Sequence, residues 1–135
     1  MLFRSKFADV GAGAGLPSIP CLLVREDLKA VLIESKEKKA KFLDLAVETL
    51  KISDRAKVIN RQFQETDLEN SEFVACRALD KFTEKLSRLL KWSGKRRIVL
   101  FGGENLKGAL QTERILFTQK LLPLSEQRFL FALEQ

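Results

Sequence analysis

The chain has 135 residues, 45% hydrophobic and 31% charged, with 24 Lys and Arg against 18 Asp and Glu for a net charge of +6. That length buries one core of ordinary domain size, and no window approaches the roughly 18 unbroken apolar residues of a membrane span. The opening "MLFRSKF" lacks the apolar run and small-residue cleavage site of a secretory signal, so one cytoplasmic domain over residues 1–135, with no membrane contact, is expected.

In chain order, "KFADV" (6–10) predicts a first strand and "KAVLIES" (29–35) a second, both dense in apolar residues as doubly covered strands are. Between them "PSIPCLLVRED" has room for a short helix. "KKAKFLDLAVETLKI" sets Ala40, Leu43, Ala46, Val47 and Leu50 at helical spacing, which predicts an amphipathic covering helix. Strands three and four follow in "AKVINRQF" (56–63) and "EFVACRAL" (72–79). Asp80 then opens "DKFTEKLSRLLKW" as an N-cap. "RRIVLFGG" predicts strand five, and "NLKGALQTER" a helix weakened by Gly108, at about 1 kcal/mol against alanine. "ILFTQKLLPL" and "RFLFALEQ" lie too close together for a parallel crossover and predict an antiparallel hairpin. The expected class is therefore α/β, with a mostly parallel seven-stranded sheet closed by a C-terminal antiparallel hairpin. Trp92 and Phe101 sit in apolar periodic segments and are expected in the core. Cys21 and Cys76 have no metal-ligand spacing and make no disulfide framework; both are expected as reduced, buried thiols, and no metal site is expected.

The loop "ADVGAGAGLPSIP" (8–20) carries the chemistry. Gly11, Gly13 and Gly15 follow the first strand at its carboxyl end, where open parallel sheets bind ligands. Pro17 and Pro20 then set φ where the first helical N–H groups have no intrahelical partner. The spacing is GxGxG; the dinucleotide fingerprint GxGxxG would need a small residue where Leu16 stands. An acid, here Asp9, followed by GxGxG is the pattern of Rossmann-like class I S-adenosylmethionine methyltransferases. Glu34 ends the second strand 19 residues after Gly15, where a carboxylate can accept both ribose hydroxyls of an adenosine. Basic residues cluster in "SKEKKAKF" (35–42) and "SGKRRI" (93–98), which suits either a nucleic-acid partner or a solvated helix face.

"DVGAGAGLPSIP", "VLIESKEKKAKFL", "ACRAL", "LLKWSGKRRIVLFGG" and "LPLSEQRFLF", in this order, resemble the RsmG or GidB family, from about Phe7 to Leu133. The family methylates N(7) of a guanine in small-subunit ribosomal RNA. The resemblance implies S-adenosylmethionine as cofactor, with Gly11, Gly13 and Leu16 lining its methionine and adenosine side and Asp9 and Gly15 of the same loop counted among the cofactor-binding residues. It further implies that Glu34 holds the ribose, that Gln62, Phe63 and Gln64 lie beside the adenine, and that Arg77 faces the reaction centre as the catalytic residue. An ion pair of Arg77 with Asp80 is the structural alternative.

Three departures accompany it. The family carries a helical segment before the first strand, whereas six residues precede Phe7 here, so one cleft wall and part of the RNA footprint are expected to be missing. "NRQFQE" replaces an arginine followed by two acids, and Phe101 replaces a lysine at the end of strand five. The chain has no histidine and no tyrosine, which excludes an imidazole or phenol base; guanine N(7) needs none, because its lone pair is free. Two other functions are compatible with the residues: a non-catalytic cofactor- or RNA-binding remnant of the fold, and a nicotinamide oxidoreductase, against which Leu16 and Asp9 argue.

Overall fold

The computed structural model describes residues 5–68, 70–77 and 82–134, with Phe82 and Thr83 described by backbone alone. Its elements are β1 (Ser5–Val10), α1 (Ser18–Val24), β2 (Leu28–Ile33), α2 (Glu37–Thr49), β3 (Ala56–Ile59), a 3-10 turn (Phe63–Glu65), β4 (Phe73–Arg77), α3 (Phe82–Ser93), β5 (Arg97–Gly102), α4 (Glu104–Thr112), β6 (Phe117–Leu121) and β7 (Phe129–Leu133). The strand order is β3-β2-β1-β4-β5-β7-β6, a seven-stranded sheet as expected. Contacts gather in two compact units, Met1–Glu72 and Phe73–Gln135.

In the first unit β2 pairs in parallel with both β1 and β3, and the register sets Val10, Ile33 and Ile59 level. All three strands therefore stop at one line. The last four residues of β1 and of β2 are buried without alternation, as in strands covered on both faces. α1 buries Ser18, Ile19 and Leu22, and α2 buries Ala40, Leu43 and Val47. The helical spacing read from the sequence holds for these three, while Ala46 is half-buried and Leu50, just past the helix, is exposed. Arg55 Nη1 donates to the carbonyls of Leu22 (2.8 Å), Arg25 (3.1 Å) and Leu28 (3.2 Å), so one cation ties the end of α1 to the start of β2.

Three expectations need correction here. Cys21 is exposed, and only Cys76 is buried; a seven-residue helix has one buried stripe, and Cys21 lies off it. β2 stops at Ile33 rather than Ser35, and β3 at Ile59 rather than Phe63. The reason is at the strand ends: Asn60 Nδ2 donates to the carbonyls of Glu34 (2.9 Å) and Ser35 (3.1 Å), which turns both chains out of the ladder.

In the second unit β4 and β5 are parallel, and β7 is antiparallel to both β5 and β6. Phe131 is fully buried and meets Phe117 edge-on, ring centroids 5.4 Å apart. α3 buries Leu86, Leu89 and Ser93, whose hydroxyl donates to the Leu89 carbonyl at 2.7 Å. Trp92 and Phe101 are half-buried rather than core. Trp92 sits at the rim of that helical stripe, and Phe101 alternates with the buried Leu100 and Gly102 on the other face of β5. Gly108 is exposed inside α4, with nothing near the Cβ it lacks. Asp80, expected to cap α3 or pair with Arg77, lies outside the described residues.

Candidate functional site

The levelled ends of β1, β2 and β3 are tied by a chain of hydrogen bonds. Gly11 and Ala12 both donate their N–H to the Ile33 carbonyl, at 2.8 and 3.1 Å, and the Glu34 N–H donates to Ile59 at 3.0 Å. The glycine loop is thus folded back over the end of β2. The bend needs left-handed backbone: Gly11, Gly13 and Gly15 all have positive φ.

Gly11 and Gly15 differ in what surrounds them. No heavy atom lies within 4 Å of the Cβ that Gly11 lacks, and the residue is exposed. A Cβ on Gly15 would lie 2.5 Å from Ile19 Cδ1 and 3.3 Å from Leu43 Cδ2. Gly15 is closely packed, whereas Gly11 borders open space.

Two buried carboxylates hold this loop. Asp9 is 3% exposed and accepts a hydrogen bond from the Ser18 hydroxyl, at the first residue of α1. Glu34 is 5% exposed and works between loops: Oε1 accepts from the Gly13 N–H at 3.0 Å, and Oε2 from the Lys36 N–H at 2.7 Å. An ionised carboxylate offers about four lone-pair sites, so each oxygen keeps capacity for one more donor. Two vicinal hydroxyls are a ligand of that kind.

The remaining expected residues are placed less uniformly. Leu16 is half exposed beside the loop. In the 3-10 turn the Gln62 and Gln64 side chains are exposed, while Phe63 is buried. Thr66 closes that turn, its Oγ1 donating to the Gln62 carbonyl at 3.2 Å. Loop, Glu34 and turn all belong to the first unit. Arg77 belongs to the second, as the exposed last residue of β4, level with Phe101 on β5. Ser18, Lys36 and Asn60 were not anticipated. Their partners lie 9, 2 and 26 residues away in sequence, and only a serine directly behind a proline hinted at one of them.

The pattern of the family described as GidB, rRNA small subunit methyltransferase G, matches residues 2–130. The ribosomal RNA small subunit methyltransferase G of Mycolicibacterium vanbaalenii is 35% identical over 116 residues, 81% of this chain and 49% of that protein. Its counterpart in Aquifex aeolicus is 33% identical over 101 residues, 75% of this chain and 50% of that protein. The chain thus spans about half the length of these relatives. Among solved structures, a SAM dependent methyltransferase from Aquifex aeolicus superposes with a TM-score of 0.71 at 16% identity, over 98% of this chain and 84% of that one. TrmK of M. capricolum, in complex with S-adenosyl-homocysteine, gives 0.70 at 15% identity, over 98% and 63%. At such identities these likenesses establish the fold.

Proposed function

The chain belongs to the GidB family of rRNA small subunit methyltransferase G proteins, and from that premise we propose that it is a methyltransferase domain acting on N(7) of a guanine in 16S ribosomal RNA. The observation that supports this reading best is the pairing of an open, left-handed Gly11 with the buried Glu34 carboxylate. Backbone can approach a ligand at the first, and hydroxyls can be received at the second. S-adenosylmethionine, when bound, supplies a sulfonium-activated methyl group, which a ring nitrogen with a free lone pair takes by direct displacement.

Gly11, Gly13 and Leu16 would line that cofactor, with Asp9 and Gly15 shaping the loop from inside. Glu34 would hold the ribose, and the exposed Gln62 and Gln64, framed by the buried Phe63, would flank the adenine. Arg77 is assigned to the target base on the resemblance alone. None of these residues has to move a proton, which suits a chain without histidine or tyrosine. Their contribution is alignment of donor and acceptor, worth several kcal/mol when near-attack geometry is held. The cytoplasm, where small-subunit RNA is found, is the compartment this function implies; no helix among the described residues is long and apolar enough to cross a membrane.

The test is transfer of labelled methyl groups to small-subunit RNA lacking this modification, with the product base identified by mass. Label at guanine N(7), lost in Arg77→Ala at unchanged cofactor affinity, is the expected result. Label at another ring position contradicts the proposed substrate atom. Cofactor binding without transfer favours the non-catalytic remnant.

A further inference from the structure

α2 carries a second stripe that the core does not use. Opposite Ala40, Leu43 and Val47, the residues Lys38, Lys41, Phe42 and Leu45 recur at i, i+3, i+4 and i+7, which places them on one outward face. All four are exposed, Phe42 at 52% and Leu45 at 64%. Lys36 and Lys39 flank the start of the stripe and are exposed as well.

These lysines stand at the wrong end of the helix for local stability. The N-terminal turn already bears the positive end of the macrodipole, where cations are disfavoured. Lys41 pairs with Glu37 at 3.2 Å, but Lys36, Lys38 and Lys39 have no acidic partner among the described residues. Neither core packing nor helix electrostatics explains the placement. An external polyanion does, since phosphates gain from both the ammonium groups and the dipole. Phe42 adds an exposed aromatic side chain on the same face as Lys38 and Lys41, which suits an unpaired base; stacking on aromatic side chains is how single-stranded RNA is held without a sequence requirement. The stripe begins four residues after Glu34, whose carboxylate holds the N–H of the intervening Lys36, so the basic face follows in sequence directly on the carboxylate assigned to the ribose.

We propose that the Lys38–Lys41–Phe42 face of α2 is an RNA-docking surface, with the lysines taking backbone phosphates and Phe42 stacking an unpaired base. The inference rests on the rRNA methyltransferase reading and assigns the substrate a track along the first unit.

The test measures binding of a fluorescein-labelled, unmodified small-subunit rRNA transcript by anisotropy across a salt series, with melting temperature as the check of folding. Lys38→Ala/Lys41→Ala should weaken binding on the order of tenfold at about 0.1 M salt and reduce the slope of log K against log salt by about 1.4 to 1.8. Phe42→Ala should weaken binding about tenfold with the slope unchanged. The charge-matched control is Arg88→Ala/Lys91→Ala on α3, both exposed, which should change affinity less than about twofold. Equal losses in the stripe and control variants, or wild-type affinity in both stripe variants, overturn the proposal. Calorimetry with S-adenosylmethionine on the same proteins separates the two levels. Cofactor affinity retained alongside unchanged RNA affinity sinks the stripe alone; failure of the unsubstituted chain to bind cofactor, with the stripe variants still impaired in RNA binding, sinks the methyltransferase reading and leaves the stripe as an RNA-binding surface.

Discussion

Two strands of this protein end in glycines, and they end differently. After β1, Gly11 adopts positive φ with open space where a Cβ would stand, and two buried carboxylates brace the loop from behind. After β5, Gly103 is extended at φ −109, and the Cβ it lacks would come within 3.2 Å of the Gln127 carbonyl. The second glycine makes room for the protein's own backbone; the first faces open space. Glycine content alone does not mark a site. What distinguishes the β1 loop is freedom on its outer side combined with buried acceptors on its inner side.

The sharpest break in this comparison is within the β1 loop. Gly15→Val should destabilise by about 3 kcal/mol or more, because a branched side chain in left-handed backbone would overlap Ile19 and Leu43. Chemical denaturation reads it. Glu34→Ala comes next, since it leaves the Gly13 and Lys36 N–H groups without their acceptor. A stability loss of about 1 to 3 kcal/mol is expected, together with loss of cofactor affinity. Glu34→Gln keeps one amide oxygen as acceptor and should recover part of the stability but little of the affinity; recovery of both would mean that the carboxylate is only a brace.

Gly11→Ala should cost about 1 to 2 kcal/mol of stability from its φ alone, yet weaken cofactor binding severely, because the new methyl group fills the cradle. Gly103→Ala is the counterpart: a loss of about 1 kcal/mol with cofactor affinity unchanged. A binding defect at Gly103 equal to that at Gly11 would erase the distinction between the two strand ends. The smallest effect belongs to the charges on α2. Lys38→Ala/Lys39→Ala should raise the melting temperature slightly, corresponding to about 0.3 to 1 kcal/mol, since it removes cations from the positive end of a helix.

The sequence was legible where local chemistry and periodicity decide the outcome. Three alternate glycines behind an acid announced the loop, the apolar runs announced β1, β2 and β5, and Glu34, read as the end of the second strand, stands one residue beyond it. It was not legible where side chains act across the levelled strand ends. Asn60 reads as an ordinary polar residue until the register sets Ile59 beside Ile33, and only then can its amide reach two carbonyls of the neighbouring chain. Ser18 likewise becomes meaningful once the loop brings the start of α1 back to Asp9. Cys21 failed for a simpler reason: composition favours burial of cysteine, but a helix of seven residues has one inward stripe, already filled by Ser18, Ile19 and Leu22.

The central claim is that the β1 loop and Glu34 form an adenosine cradle specialised for S-adenosylmethionine, and titration calorimetry of the unsubstituted chain tests it most directly. S-adenosylmethionine or its demethylated product should bind at one site per chain and much more tightly than NADH, with the heat abolished in Gly11→Ala protein that still melts cooperatively. Tighter binding of NADH, or undiminished binding of S-adenosylmethionine by Gly11→Ala, would contradict the account.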